Sequence, residues 1–183
     1  GTFQFLGLYI WSSATTTGYA VNLSSTAETW ITHLLLYSAN GGVYHHGTNK
    51  LYITGSYVYA ADFYCLATTD ALILNIQNNR FYGAANYYPI FLITTGASVG
   101  TIQFSGNTVS NSLAGYSLFC LIICNNATKA GTYMITNNVL EAVNGAAAGI
   151  QVNNFSQGII MGNSIPGYTS ITNVDTSINE HNI

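Results

Sequence analysis

The sequence predicts an all-β fold, a right-handed single-stranded parallel β-helix (a β-solenoid) with three short strands per rung and an internal asparagine ladder. Three observations predict it. First, five segments align without gaps, at residues 51–58, 74–81, 102–109, 133–140 and 158–165. Their third position is always large and apolar (Ile53, Ile76, Phe104, Ile135, Ile160), and so is their eighth (Val58, Phe81, Val109, Leu140, Ile165). Second, the fifth position is Gly55, Asn78, Gly106, Asn137 or Gly162, residue types that accept a left-handed backbone with little steric strain. The sixth is Ser56, Asn79, Asn107, Asn138 or Asn163. A strand, one left-handed bend residue and a second strand account for this pattern, and amides stacked at the bend can hydrogen-bond from rung to rung. Third, no segment carries a sustained 3.6-residue apolar period, while aromatic residues reach 13% and favour strands.

Taken in chain order, residues 1–50 fit the repeat less well. Residues 19–25 read as an early strand, and residues 34–43 resemble a rung whose register the sequence leaves open. The regular rungs run from 51 to 165. Between the aligned segments, residues 63–69, 90–96, 119–125 and 148–154 supply a further strand each, so a rung has three strands, one tight bend and two turns or loops. Successive sixth positions lie 23, 28, 31 and 25 residues apart, so the loops vary in length while the strands do not. The pairs Ser24-Ser25, Thr68-Thr69, Thr94-Thr95, Asn125-Asn126 and Asn153-Asn154 are expected to end the same strand as a solvated turn ladder. Only two rungs carry Thr-Thr, which argues against a threonine array of the ice-binding kind. Residues 168–183 break the pattern and are expected to leave the solenoid. The 183 residues read as one β-helix domain. The first residues lack a charged leader and a small-residue cleavage site and read as a strand already under way, so a piece of a longer chain is expected.

Charged residues make up only 5% of the chain, against roughly 25% in an ordinary soluble domain. The three basic residues, Lys50, Arg80 and Lys129, cannot neutralise a phosphate backbone, which excludes nucleic acid as a partner. Fourteen tyrosines and 49% apolar content speak against disorder and for a sizeable core. The longest apolar run, residues 118–124, is too short to span a bilayer, so no membrane insertion is expected. Solubility then rests on Asn, Ser, Thr and Tyr side chains and on burial of one flank in an oligomer. Of the three cysteines, Cys120 and Cys124 fall on one strand face about 13 Å apart, too far for a disulfide, and all three read as small core residues.

The left-handed Gly/Asn bend with its asparagine ladder resembles the pectin-lyase-like parallel β-helix superfamily over residues 51–165. The resemblance implies the fold; the superfamily hosts lyases, glycosidases, epimerases and non-enzymatic adhesins, so it does not imply one function. Low charge and richness in Asn, Ser, Thr, Gly and Tyr are most similar to phage tailspikes. That likeness implies a homotrimeric receptor-binding protein of the virion tail or extracellular space that recognises a bacterial cell-surface polysaccharide. It carries over no catalytic residue and no cofactor.

Two other functions stay open: a polysaccharide depolymerase of the same fold, and a structural or adhesive solenoid segment without a ligand. Glycosidase chemistry needs two carboxyls about 5–9.5 Å apart. The candidates are Asp62, Asp70 and Glu141. Asp62 and Glu141 are expected in corresponding loops three rungs apart, about 14 Å, and Asp62 and Asp70 bracket a whole strand, about 25 Å. A catalytic pair would therefore have to form across subunits. A calcium-dependent lyase would need clustered carboxylates and a nearby base, which the scattered charges do not provide. The pair His45-His46 suggests metal binding, but adjacent strand residues point to opposite faces, and a surface loop is the expected setting; no metal site is expected. The tyrosines are more informative. Tyr57 and Arg80 share the seventh position of the repeat, and Tyr59 and Tyr82 the position two beyond it, so all four should point outward. The loop beyond Tyr82 adds Asn86, Tyr87 and Tyr88. Tyrosine offers sugars an apolar face and a hydroxyl with little entropy to lose. These residues are the expected glycan-binding set, with coverage of a subunit interface as the competing reading.

Overall fold

A computed structural model describes residues 1–13, 18–24, 27–47, 49–83, 89–94, 100–111, 120–125, 131–142, 148–165, 168–173 and 177–180. The described residues are strands joined by bends and turns, with no helix among them. The first rung holds β1 (Thr2–Leu6), β2 (Tyr9–Ser12) and β3 (Tyr19–Ser24), and the second β4 (Glu28–Thr32), β5 (Leu35–Ser38) and β6 (Gly41–His46). Then come β7 (Lys50–Thr54), β8 (Tyr57–Ala60) and β9 (Leu66–Ala71), followed by β10 (Ile73–Gln77), β11 (Arg80–Gly83) and β12 (Ile90–Thr94). Next are β13 (Thr101–Ser105), β14 (Thr108–Asn111) and β15 (Leu121–Asn125), and after them β16 (Thr132–Thr136), β17 (Val139–Ala142) and β18 (Ala148–Asn153). The last strands are β19 (Gln157–Met161), β20 (Tyr168–Asn173) and β21 (Ser177–Glu180).

Every third strand is a neighbour, up to the last rung, so the chain coils into three parallel sheets: an eight-stranded sheet A starting at β1, a six-stranded sheet B starting at β2 and a seven-stranded sheet C starting at β3. This is the expected β-solenoid. Sheet A pairs Ile31 with Ile53, Ile53 with Ile76, Ile76 with Phe104, Phe104 with Ile135 and Ile135 with Ile160, reproducing the third position of the repeat. These residues and the eighth-position residues Leu36, Val58, Phe81, Val109 and Leu140 are at most 1% exposed. Sheet C closes the core with Val43, Leu66, Ile90, Leu121 and Ile150, all fully buried. Each such side chain contributes about 1.5–3 kcal/mol by leaving water.

The ladder at the bend is a chain of buried amides. Asn107 Nδ2 donates to Ile76 O in the rung before (2.9 Å) and to Asn138 Oδ1 in the rung after (3.2 Å), while its Oδ1 accepts from the backbone N–H of Asn79 (3.0 Å). Asn79 and Asn138 repeat the pattern, on Ile53 O and on Phe104 O. Ser56 ends the run, its Oγ accepting from the N–H of Leu34 (3.1 Å).

The fifth position shows a rule that lies in the structure. It reads Gly7, His33, Gly55, Asn78, Gly106, Asn137, Gly162, every member at φ between 55° and 65°, and glycine strictly alternates with a residue that has a side chain. That side chain leans onto the next rung: a Cβ built on Gly106 would sit 2.4 Å from Asn78 Oδ1, one on Gly162 2.6 Å from Asn137 Oδ1, and one on Gly55 3.2 Å from the His33 ring.

Three expectations need correction. Residues 1–50 hold the same register as the rest, with Phe3 opposite Thr29 and Thr29 opposite Leu51; the unit at 34–43 is the later half of a rung that begins at Glu28. The signal is missing there because His33 stands at the bend and Leu34 at the ladder position. The tail stays in the solenoid, β20 pairing with β18 and β21 with β19. The Ser/Thr/Asn pairs do not form one turn ladder: β9 runs on through Asp70, at φ 65°, so that Thr94 faces Ala71 instead of Thr69. Residues 25, 95 and 126 of those pairs lie outside the described set.

A Cβ added to Gly7 would meet nothing within 4 Å, so Gly7→Ala isolates the left-handed strain, about 1–2 kcal/mol. Gly106→Ala adds the collision with Asn78 and is expected to destabilise further, with Asn78→Gly restoring the excess. Denaturant midpoints of the three variants check this; equal losses for Gly7→Ala and Gly106→Ala would show that the side chain of Asn78 yields freely.

Candidate glycan-binding face

Strand alternation turns the eighth position of each rung inward and the seventh and ninth outward. On sheet B the seventh-position column is Tyr9, Leu35, Tyr57, Arg80, Thr108, Val139, and the ninth-position column is Trp11, Tyr37, Tyr59, Tyr82, Ser110, Glu141. Parallel pairing stacks like positions about 4.8 Å apart. Four consecutive aromatics in the ninth column therefore form one ladder of rings, with centroids 5.8 Å apart for Trp11–Tyr37, 6.2 Å for Tyr37–Tyr59 and 5.7 Å for Tyr59–Tyr82. Tyr9 and Tyr57 widen it, 6.5 Å and 5.5 Å from Tyr37. The outermost rings lie open to solvent, Trp11 at 69% and Tyr9 at 58% exposure.

Two shallow hollows lie on this face. One, of about 310 Å³, is bounded by Trp11, Tyr37, Tyr59, Ser38 and Ala61. The other, of about 430 Å³, is bounded by Tyr57, Arg80, Tyr82, Ser110 and Glu141. Burial, with Tyr37 and Tyr82 beside it, raises the Tyr57 phenol above its usual value.

The structure brings Tyr57, Tyr59, Arg80 and Tyr82 onto one face. Asn86, Tyr87 and Tyr88 lie outside the described residues. Sequence reasoning missed Tyr9, Trp11 and Tyr37, which join the columns only once the register of the first two rungs is known. It also misplaced Glu141, which sits inside β17 and continues the aromatic column, its Oε2 accepting from Ser110 Oγ (2.9 Å). Asp62 lies in the segment between β8 and β9, and Asp70 at the bulge of β9, 3.9 Å from His46 Nδ1. The three candidate carboxylates thus lie on different elements, and Glu141 is the one in register with the aromatic column.

The other outer faces differ in character. Sheet A carries the stacked pair Trp30–Tyr52 (3.9 Å) and the ion pair Glu28–Lys50 (3.8 Å) near one end. Further along it has a hollow of about 560 Å³ bordered by Gln103, Met134 and Ile159. On sheet C, Tyr44 stacks on Tyr19 (4.8 Å). Among the described residues no three His, Cys, Asp or Glu side chains converge as a metal site requires. Cys65 and Cys120 are fully buried, and burial pushes the Cys65 thiol up to about 12, which leaves it inert as a nucleophile.

His45 and His46 are not in a surface loop. They lie in β6, His46 outward and His45 inward, fully buried between Leu23 and Thr68 with neither ring nitrogen hydrogen-bonded. Burial first, and the neighbouring His46 second, lower His45 from 6.5 to about 4. The unfolded chain then binds a proton that the folded chain refuses. Stability is whole above about pH 6.5 and falls as pH drops from there through 4, by about 3 kcal/mol in full. His45→Leu is expected to flatten this acid loss, read as the denaturant midpoint between pH 7 and pH 4; an unchanged pH profile would exclude His45 as its source.

No protein-family model, curated protein or solved structure matches the chain, so the character of this face rests on its own geometry.

Proposed function

We propose that this solenoid is a tailspike-like receptor-binding protein that holds a bacterial cell-surface polysaccharide against the outer face of sheet B. The observation that carries the reading is the unbroken column Trp11, Tyr37, Tyr59, Tyr82. Sugar rings present flat C–H faces and a rim of hydroxyls. Aromatic rings of Trp and Tyr cover the first, and phenol and indole polar atoms meet the second. Because each ring stands on a strand fixed by its neighbours, little freedom remains to be lost on binding. A ladder that repeats rung by rung suits a ligand that is itself a repeating chain. In this reading the protein acts as a homotrimer on a virion tail or in the extracellular space. The outer face of sheet A, with its hollow bordered by Met134 (42% exposed) and with Met161 (40% exposed) further along β19, is the flank that the neighbouring subunit covers.

The depolymerase alternative draws on one observation, the placement of Glu141 beside the aromatic face. Hydrolysis needs a second carboxyl within about 9.5 Å, and Asp62 and Asp70 sit elsewhere. A partner subunit would have to supply it.

Light scattering is expected to give three times the 19.6 kDa chain mass. On capsular or lipopolysaccharide fragments, Trp11→Ala and Tyr59→Ala are each expected to weaken binding about tenfold with the trimer intact. Dissociation of the trimer by these substitutions would instead make the face a subunit interface, and a monomer that binds no glycan would end the proposal. Release of reducing ends that stops in Glu141→Gln would move the function to a depolymerase.

A further inference from the structure

The aromatic column ends in charge, and the charges are few. Arg80, in the seventh position between Tyr57 and Thr108, projects from the exposed face of β11 and forms no ion pair among the described residues. Two rungs further, Glu141 closes the ninth column with one oxygen held by Ser110. Strand spacing and rise put their Cα atoms about 12 Å apart across the same hollow of about 430 Å³.

Building on the glycan-binding reading, we infer that this face selects a sparsely acidic polysaccharide, in which one carboxylate-bearing sugar alternates with neutral ones. Arg80 is the group that recognises the carboxylate. A planar guanidinium pairs with a carboxylate through two parallel hydrogen bonds, a geometry a neutral donor cannot match. Arg80 is flanked by Tyr57 and Tyr82, so a sugar stacked on either ring brings its exocyclic carboxylate to the guanidinium. Glu141 sets the opposite rule for its neighbourhood. Its carboxylate accepts hydrogen bonds from sugar hydroxyls and repels a second acid, which disfavours chains charged at every residue. The formal net charge of −3 on the whole chain acts in the same direction, against a dense polyanion. One cation and one anion on an otherwise neutral aromatic face therefore match one acid per repeat.

The full chain and its Arg80→Gln and Glu141→Gln variants are to be measured against three immobilised oligosaccharide probes. The first alternates a hexuronic acid with neutral sugars, the second is the same material with its carboxyls reduced to alcohols, and the third is a homo-oligouronate. The wild-type chain is expected to bind the first about tenfold or more tightly than the second, with an advantage that shrinks as salt rises. Arg80→Gln should erase that advantage at an unchanged melting temperature, and Glu141→Gln should raise affinity for the third probe. Equal binding of the first two probes by wild type, both weakened by Trp11→Ala, would overturn this inference and leave the glycan-binding reading standing. Absence of binding to every probe and to the neutral surface glycans would overturn both.

Discussion

The whole architecture hangs on one buried hydrogen-bonding arrangement at the bend between sheets A and B. A coil of parallel strands has a weak point wherever the chain turns, because backbone N–H and C=O groups leave one ladder before they enter the next. Asn79, Asn107, Asn138 and Asn163 stand there at no more than 1% exposure. Each side-chain oxygen accepts the N–H of the residue stacked before it, and each amide nitrogen donates to a carbonyl of the preceding rung, as Asn163 does to Ile135 O (2.9 Å). Leucine in these positions would fill a similar volume and leave the bend's polar groups unmet. A buried donor or acceptor without a partner costs about 1–3 kcal/mol.

Register follows from this. Shifting a strand by one residue would carry every side chain to the opposite face, and the ladder forbids the shift because amide and carbonyl would no longer meet. With register locked, like positions stack along the axis and each column becomes a single physical object. The third- and eighth-position columns become the core, and the outward columns of sheet B become a ribbon of rings ending in Arg80, Ser110 and Glu141. The strict alternation at the fifth position is the same stacking seen from another side. The left-handed bend sends its side chain toward the next rung, and only a glycine there leaves room.

Where the ladder ends, packing takes over. At the sixth position the second rung has Leu34, 3% exposed, whose backbone N–H is met by Ser56 Oγ. The rung still pairs in register. Further out the core thins: in the first rung Leu8, at the sixth position, is 39% exposed, and Phe5 and Ile10 pack against the core only partly buried. His45 is the opposite case to the ladder, since its ring is buried without hydrogen-bond partners and destabilises the fold in acid, whereas the amides are buried with theirs.

By itself the sequence determined the solenoid, its bend, its ladder and the outward direction of Tyr57, Tyr59, Arg80 and Tyr82. Those features repeat at fixed local spacings, and a period of two together with a left-handed residue is a local property of the chain. The tertiary structure decided what depends on alignment across rungs separated by loops of unequal length. It joined Tyr9, Trp11 and Tyr37 to the aromatic face, moved Glu141 from an expected loop into a strand at the end of that face, and buried His45. It also kept residues 168–173 and 177–180 in the coil. Apart from Glu141, whose strand follows Asn137 and Asn138, none of these positions stands beside the Gly/Asn-then-Asn signature, because there the register is imposed by pairing with neighbouring strands and not by the residues at the bend.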